Sequence, residues 1–323
     1  MRVRIHAAAL NHLDLSVVHG MPGVTITPPW ILGADGAGVV DTVGTAVRDV
    51  AVGDRVVLNP GVSDRTCEYC RAGEHSLCIK FRLLGEHLPG TLADFVVVPV
   101  VNVRRIPAEL PFDHAAACAL VGVTAWRMVI TRARVTAGED VLIWGIGGGG
   151  ALAALRIAKT LGARVWVTSS SDEKLARAAA LGADVCLNHR TTDVAKEVRA
   201  RTGKRGVDVV IDNVGHATWA QSLGALGRAG RLVTCGGTSG PMVETDVRRL
   251  FWNQWTLMGS TMGNDHEFDA TVREIAAGRL SVPIDSTYPL ADARAGFERL
   301  DLAQQFGKIV IRVADDEPPS IRR

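Results

Sequence analysis

Neither sign of charge is in surplus here: 36 Lys and Arg stand against 34 Asp and Glu, scattered along 323 residues. Without a basic face there is no electrostatic footprint for nucleic acid or an anionic membrane, and a small, weakly charged molecule is the expected partner. Long apolar runs are lacking too. The nearest, Ala115 to Trp126, carries Gly122 and Thr124 and falls short of the roughly 18 residues a membrane helix needs, so no span is expected. Asn11, His12 and Asp14 interrupt the start before a signal-peptide core or cleavage site develops, and the chain reads as cytoplasmic. Cysteine is sparse. Six residues in so long a chain do not make a secreted disulfide framework, and three of them cluster at metal-ligand spacing.

What is present is globular: 47% apolar and 22% charged residues exclude disorder, collagen and coiled coil. The length suits two domains of roughly 100 to 200 residues each. Residues 1 to about 108 hold short Val-dense runs cut by Gly and Pro, such as Gly38-Val-Val, Asp54-Arg-Val-Val-Leu and Phe95-Val-Val-Val-Pro, which predict a mostly β domain. From Glu139 the rhythm changes. Strands are expected at Val141 to Trp144, Val165 to Thr168, Val185 to Leu187, Val207 to Asp212 and Arg231 to Cys235. Helical patterns lie between them, at about Ala151 to Leu161, Asp172 to Leu181, Asp193 to Arg201 and Thr218 to Leu226. Such alternation demands a parallel sheet with helices on both faces. The tail adds helices near Glu267 to Ala277 and Ala291 to Leu300, then a strand at Lys308 to Val313, and packs back on the first domain. Only Asp315 to Arg323 read as disordered.

The segment Val141-Leu-Ile-Trp-Gly-Ile-Gly-Gly-Gly-Gly-Ala-Leu runs from a strand through five glycines into a helix. In that context a Gly-rich turn lets main-chain N–H groups and a helix N-terminus approach a pyrophosphate, where no Cβ would fit. The literal match is Gly145, Gly147 and Gly150. A second register, with Gly148 at the close approach and Ala151 at the packing position, works equally well. At the end of the next strand, where an acidic residue would meet the ribose 2′-hydroxyl of NAD, stands Ser169. Ser170 and Lys174 suit a 2′-phosphate, so NADPH is the expected cofactor, although Asp172 lies close by. Asn213, Gly215, Cys235 and Gly236 end strands at the edge where doubly wound sheets bind ligands, with plain structural duty the alternative for each. His189 follows the third strand, near the adenine phosphate or as a solvated loop residue.

Together these residues resemble the medium-chain dehydrogenase/reductases, in the zinc-type alcohol dehydrogenase-like and quinone oxidoreductase-like branch. The resemblance rests on Ala8-Ala-Leu-Asn-His-Leu-Asp-Leu, Leu32-Gly-Ala-Asp-Gly-Ala-Gly-Val-Val, Val52-Gly-Asp-Arg-Val, Thr124-Ala-Trp, Leu181-Gly-Ala-Asp, Gly206-Val-Asp-Val-Val-Ile-Asp and Gly307-Lys-Ile-Val-Ile, and covers nearly the whole chain. It implies an α/β protein: a GroES-like catalytic domain, residues 1–121 and 263–323, with a Rossmann dinucleotide-binding domain, residues 122–262. Thr124 is then expected to face the nicotinamide and Lys308 to lie near the pyrophosphate. Members usually begin with roughly 25 further residues forming a hairpin, and a domain lacking those strands would expose a sheet edge. A homodimer or homotetramer is expected, with the strand at Trp255 to Thr261 extending the sheet across a dimer axis.

The resemblance also implies two metal positions. A catalytic zinc would need Cys, His and Cys where this chain has Asn11, Ala34 and Leu120, none a good ligand. Cys118, two residues from Leu120, reads as a small buried hydrophobe. Asp64, Cys67, Cys70 and Cys78 resemble the family's structural zinc lobe with its first cysteine replaced by a carboxylate, itself a legitimate ligand, and His75 is a weaker fourth donor. Without catalytic zinc, hydride would pass from NADPH to an activated carbonyl, enone or quinone. Asn11 and Asp14 resemble cleft-lining positions and are the candidate catalytic groups, loop capping being their alternative. The competing expectations are a zinc-type alcohol or aldehyde dehydrogenase and a non-catalytic NADPH-binding protein.

Overall fold

The Val-dense runs near the N-terminus form strands because alternate residues bury on one face. Val3, Ile5, Val40, Val56, Leu58, Val96 and Val103 make one apolar cluster, each with at most 4% of its surface exposed. A computed structural model describes residues 1–21 and 23–314; the tail expected to be disordered, 315–323, lies outside the described residues. Two units divide the chain, Met1–Leu120 with Asn264–Arg323, and Val121–Gly263.

The first unit is built on a seven-stranded sheet. Its order is Ile284–Pro289, Lys308–Arg312, Arg2–Ala9, Asp35–Thr42, Arg55–Leu58 and Val103–Arg105, with Phe95–Val97 also on Arg2–Ala9. Two registers matter for the site. Ala9 stands opposite Val310 on one neighbour and opposite Asp35 on the other. Continued two residues past the strand end, the first pairing brings Asn11 level with Lys308, and the Leu10 N–H to Ile309 carbonyl bond of 2.9 Å keeps that alignment. Gly307 precedes it at φ +113, and a Cβ there would sit 2.0 Å from the Pro283 carbonyl oxygen, so only glycine admits this entry into the strand.

The second unit is a six-stranded, all-parallel sheet. Its order is Val185–Asn188, Arg164–Ser169, Asp140–Ile143, Val207–Asp212, Leu226–Thr234, Thr256–Gly259. Numbered along the chain this is 3-2-1-4-5-6, the doubly wound order whose reversal point lies between Asp140–Ile143 and Val207–Asp212. Helices Gly149–Thr160, Asp172–Ala180, Val194–Arg201 and His216–Ala225 connect the strands. Leu142, Trp144, Trp166, Val210 and Leu232 fill the core, and truncating a side chain such as Trp166 to alanine should cost about 3 to 5 kcal/mol. The edge strand, Thr256–Gly259, is shorter than the expected Trp255 to Thr261 because Trp255 turns inward, its Nε1–H donating to the Gly227 carbonyl at 2.8 Å.

One expectation is corrected. The apolar run does not stop at Trp126: helix Phe112–Trp126 continues in π-helical turns through Arg127–Arg132. At 21 residues it is long and apolar enough to cross a membrane by length and composition, but two thirds of its most apolar window (67%) is buried inside the protein, as in a core helix.

Candidate functional site

At the reversal point the strand Asp140–Ile143 runs into the glycine turn. Gly145 and Gly147 have φ of +69° and +125°, conformations that side chains disfavour. Gly148 caps helix Gly149–Thr160 without a side-chain bond, and no acidic residue lies in its first turn, so the leading N–H groups are left for an outside acceptor. A Cβ on Gly148 would meet nothing nearer than the Gly145 carbonyl oxygen at 3.9 Å, and one on Gly150 nothing within 4 Å. The protein's own packing therefore does not ask for glycine at either place. Ala151 is the residue that buries, at 3% exposure, which favours the register with Gly148 at the close approach.

Around this turn Ser169 is buried, and its Oγ accepts the Ser171 N–H at 3.2 Å. Ser170 is exposed; Ser171 caps the following helix through the Lys174 N–H. Asp172, the residue that weakened the NADPH expectation, is held by the Asn188 amide at 2.7 Å. Arg190, exposed two residues beyond Asn188, was overlooked in the sequence; the pairing of Asn188 with Ser169 is what brings it near. His189 lies 6.0 Å from Trp144, ring centre to ring centre, and neither His189 Nδ1 nor Trp144 Nε1 has a partner among the described residues. Burial holds the His189 imidazole below its usual pKa, aided by the Arg190 charge.

The other strand ends differ. Gly215 has a packing reason, since a Cβ there would come within 2.8 Å of the Gly240 carbonyl oxygen, and Gly236 comes within 3.1 Å of Asn213. Cys235 is exposed, and the Thr124 hydroxyl donates to Met262 Sδ at 3.7 Å. Asp212, buried beside Asn213, accepts the N–H groups of Val214 and Gly215 and the hydroxyls of Thr218 and Ser222, which rigidifies this corner.

In the first unit, Asp64, Cys67, Cys70 and Cys78 bring their donor atoms within 4.8 Å of one another. Asp64 Oδ1 accepts the N–H groups of Thr66 and Cys67, which holds its carboxyl well below the usual range and charged. Burial, with the neighbouring Cys67 and Cys78 thiols, pushes the Cys70 thiol up to about 11. Three thiols and a carboxylate on this loop fit a closed, tetrahedral structural zinc site. His75 turns elsewhere: its Nδ1 accepts the Asp265 N–H at 3.4 Å.

The remaining candidates form a buried polar cluster. Asp14 accepts the N–H of Asn11 at 2.8 Å and of Gly33 at 3.1 Å, the first bond closing a capping box at the start of helix His12–His19. Burial lifts its pKa from 3.8 to about 6, against those two bonds and the nearby Lys308 charge. Asn11 Nδ2 donates to Asp35 Oδ2 at 2.9 Å and to the Ala9 carbonyl at 3.2 Å. Lys308 Nζ donates to Asn11 Oδ1 at 2.5 Å and to Asp35 Oδ2 at 3.0 Å, at 3% exposure. Asp35 was not singled out in the sequence; the signal was a charge inside an otherwise small, apolar run, Gly33-Ala-Asp-Gly-Ala-Gly.

Residues 1–108 match the alcohol dehydrogenase GroES-like domain family, and residues 149–277 match the zinc-binding dehydrogenase family. An alcohol dehydrogenase of Geobacillus stearothermophilus is 30% identical over 315 residues, 96% of this chain and 91% of that one. The chain belongs to the zinc-type alcohol dehydrogenase-like medium-chain dehydrogenase/reductases. A solved NAD-dependent alcohol dehydrogenase is 42% identical and superposes with a TM-score of 0.93, over 97% of this chain and 91% of the other. An acryloyl-coenzyme A reductase of Metallosphaera sedula is 28% identical, over 96% of this chain and 91% of its own.

As a member of this family the protein is an NAD(P)H-dependent oxidoreductase acting on small molecules, with a GroES-like and a Rossmann domain. The zinc-type dehydrogenase's catalytic metal, however, does not fit the residues present. Ala34 and Leu120 carry no donor atom on their side chains, and Asn11 Oδ1 is taken by Lys308. Among the described residues the cysteine lobe is the one group of three or more His, Cys, Asp or Glu placed to hold an ion.

Proposed function

We propose that this protein interconverts a small carbonyl compound and its alcohol using NADPH, by hydride transfer that takes no help from a catalytic metal. The observation that carries the nucleotide part is the open glycine turn: two glycines, Gly148 and Gly150, that no protein atom requires, at an uncapped helix start. The preference for the 2′-phosphate is supported by Ser169 and exposed Ser170 where an acid would favour NAD, by Asp172 being tied to Asn188, and by Arg190 and Lys174 as cations.

The sequence alone puts quinones and enones first. Relatives named alcohol dehydrogenase favour the carbonyl–alcohol pair instead, so the substrate expectation shifts toward the zinc-type alternative while the donor set at Asn11, Ala34 and Leu120 argues against its metal. Conjugated enoyl compounds remain the second reading, favoured by the similarity to the acryloyl-coenzyme A reductase.

Thr124 and the strand ends at Asn213 and Cys235 are assigned to positioning the cofactor, and the lobe, through Asp64, Cys67, Cys70 and Cys78, to holding a structural zinc that supplies rigidity and no chemistry. The test is NADPH oxidation against benzaldehyde, cyclohexenone and benzoquinone, with and without a chelator. Turnover of the aldehyde with NADPH at least tenfold above NADH, unchanged by the chelator, supports the reading. Turnover that the chelator abolishes, or of the quinone alone, contradicts it.

A further inference from the structure

Apolar side chains left in water are normally scattered singly over a protein surface. In the second unit they are gathered. Met242, Val247, Phe251 and Trp252 are each 63–79% exposed, and Val243 is exposed beside them. Three of the five sit on helix Val247–Asn253, none of whose seven residues is buried. Leu250 packs against the core cluster that holds Trp255, so the helix lies on that face of the sheet. A helix this short does not hold itself in water: isolated helices need about 12 to 15 residues, and most helical stability in proteins comes from packing an apolar face. In a single chain this helix turns Val247, Phe251 and Trp252 to solvent.

The helix leads straight into the last strand of the sheet. Gln254 turns the chain at φ +54°, and Thr256–Gly259 then pairs with Leu226–Thr234 on one side. On its other side no strand pairs with it among the described residues. Natural sheets blunt such an edge with lysine, proline or a bulge, because unpaired N–H and C=O groups invite another chain. From Leu250 to Gly263 there is no charged residue and no proline.

We infer that this surface is where the protein meets a second copy of itself, two chains joining edge to edge at Thr256–Gly259 and sealing the joint with their Val247–Asn253 helices.

The geometry is self-complementary. Two antiparallel edge strands in one continuous sheet are related by a two-fold axis perpendicular to it, which makes the contact isologous. Elements on the same face meet across that axis, so each helix faces its copy. At the roughly 150 to 250 Å² that a large side chain offers, the five apolar residues expose about 500 to 600 Å² per chain. A standard interface takes about 800 Å² from each partner, a total that the strand edge completes. Neither element suffices alone: a strand of four residues offers few hydrogen bonds, and the helix patch without the strand has no register. The arginines nearby are engaged within the chain. Arg248 pairs with Asp246, Arg249 lies over the Trp255 ring at 5.3 Å, and Arg132 Nε donates to the Gly259 carbonyl at 3.0 Å. An amphipathic helix is held to anionic lipid by free cations on its polar face, so a second copy fits this patch better than a membrane does.

The test is the mass of the whole protein in solution, by sedimentation equilibrium over a thousandfold range of concentration. Wild type should sediment at twice the 34.4 kDa chain mass or an even multiple of it. Phe251→Glu with Trp252→Glu sets like charges against one another across the axis and should weaken self-association at least about 100-fold, halving the mass. Far-UV circular dichroism should stay the same, since both side chains are exposed in the single chain. Trp252→Ala, which adds no charge, should weaken association in the same direction. Amide exchange at 256–259 should be faster in the double variant than in wild type at equal concentration. A wild type that is monomeric throughout, or a folded double variant that associates as wild type does, overturns the inference. So does a halved mass with unchanged exchange at 256–259, which would take the strands out of the contact. A monomeric wild type that binds phosphatidylserine vesicles, and loses them on Trp252→Ala, would give the surface to a membrane and equally overturn it.

Discussion

Arg65 grips Asp265 with a two-pronged ion pair across 200 residues of sequence, tying the cysteine lobe to the start of helix Asp265–Ala276. One turn on, Asp269 accepts a single bond from Arg104 Nε, so one helix face meets both the cysteine lobe and strand Val103–Arg105. Both pairs are partly exposed, which limits each to about 1 kcal/mol or less. Asp265→Ala is therefore expected to change global stability little. Its effect should appear locally, as faster zinc release from the lobe to a chelator; a release rate equal to the wild type's would show that the helix does not brace the lobe.

Removing one lobe ligand should have the larger effect. On the assignment of a structural zinc to the lobe, Cys67→Ser should abolish zinc retention and lower the melting temperature by at least about 5 °C, because a closed structural site binds the folded state alone. Metal analysis with calorimetry decides it. A protein that never carried zinc, or whose melting is indifferent to Cys67, would leave the lobe standing as reduced thiols.

Asp14 predicts a pH dependence. Its folded pKa of about 6 lies above the unfolded 3.8, so the native chain binds the extra proton between those values. The contribution of this group to stability is greatest below pH 4, declines as pH rises to about 6, and is level above that. The difference is worth roughly 3 kcal/mol. Urea denaturation of wild type and Asp14→Asn from pH 4 to 7 measures it: the advantage of the wild type should shrink across that window. A constant difference would mean that Asp14 ionises like an exposed carboxylate.

Much of the second unit was legible in the sequence because its signals are local. Strand Val207–Asp212 falls where its apolar run predicts it, and helix Asp172–Ala180 begins at its Ser171 cap. The glycine turn, too, announces itself within ten residues. The apolar run ending at Trp126 was less complete, since π-helical turns that carry the helix on to Arg132 leave no periodic mark. The polar cluster was the least legible. The Lys308 ammonium lies between Asn11 and Asp35, and 297 residues separate it from Asn11. Only the pairing of the first strand with the last brings them together, and pairing between distant strands is what a single sequence read along its length does not display. The short strand Ile284–Pro289, which joins the sheet parallel to Lys308–Arg312, was missed for the same reason.

A dinucleotide lying against bare main chain at the glycine turn is tested most directly by Gly148→Val. Gly148 has an extended conformation that valine adopts easily, at φ −79° and ψ 149°, and no protein atom lies within 3.9 Å of the new Cβ. The variant should melt within about 2 °C of the wild type, since the Cβ it adds meets no non-neighbouring protein atom closer than 3.9 Å. Titration with NADPH, followed by nicotinamide fluorescence, should then show affinity weakened at least 100-fold. A folded Gly148→Val protein that binds NADPH as tightly as the wild type would place the cofactor elsewhere and contradict the account.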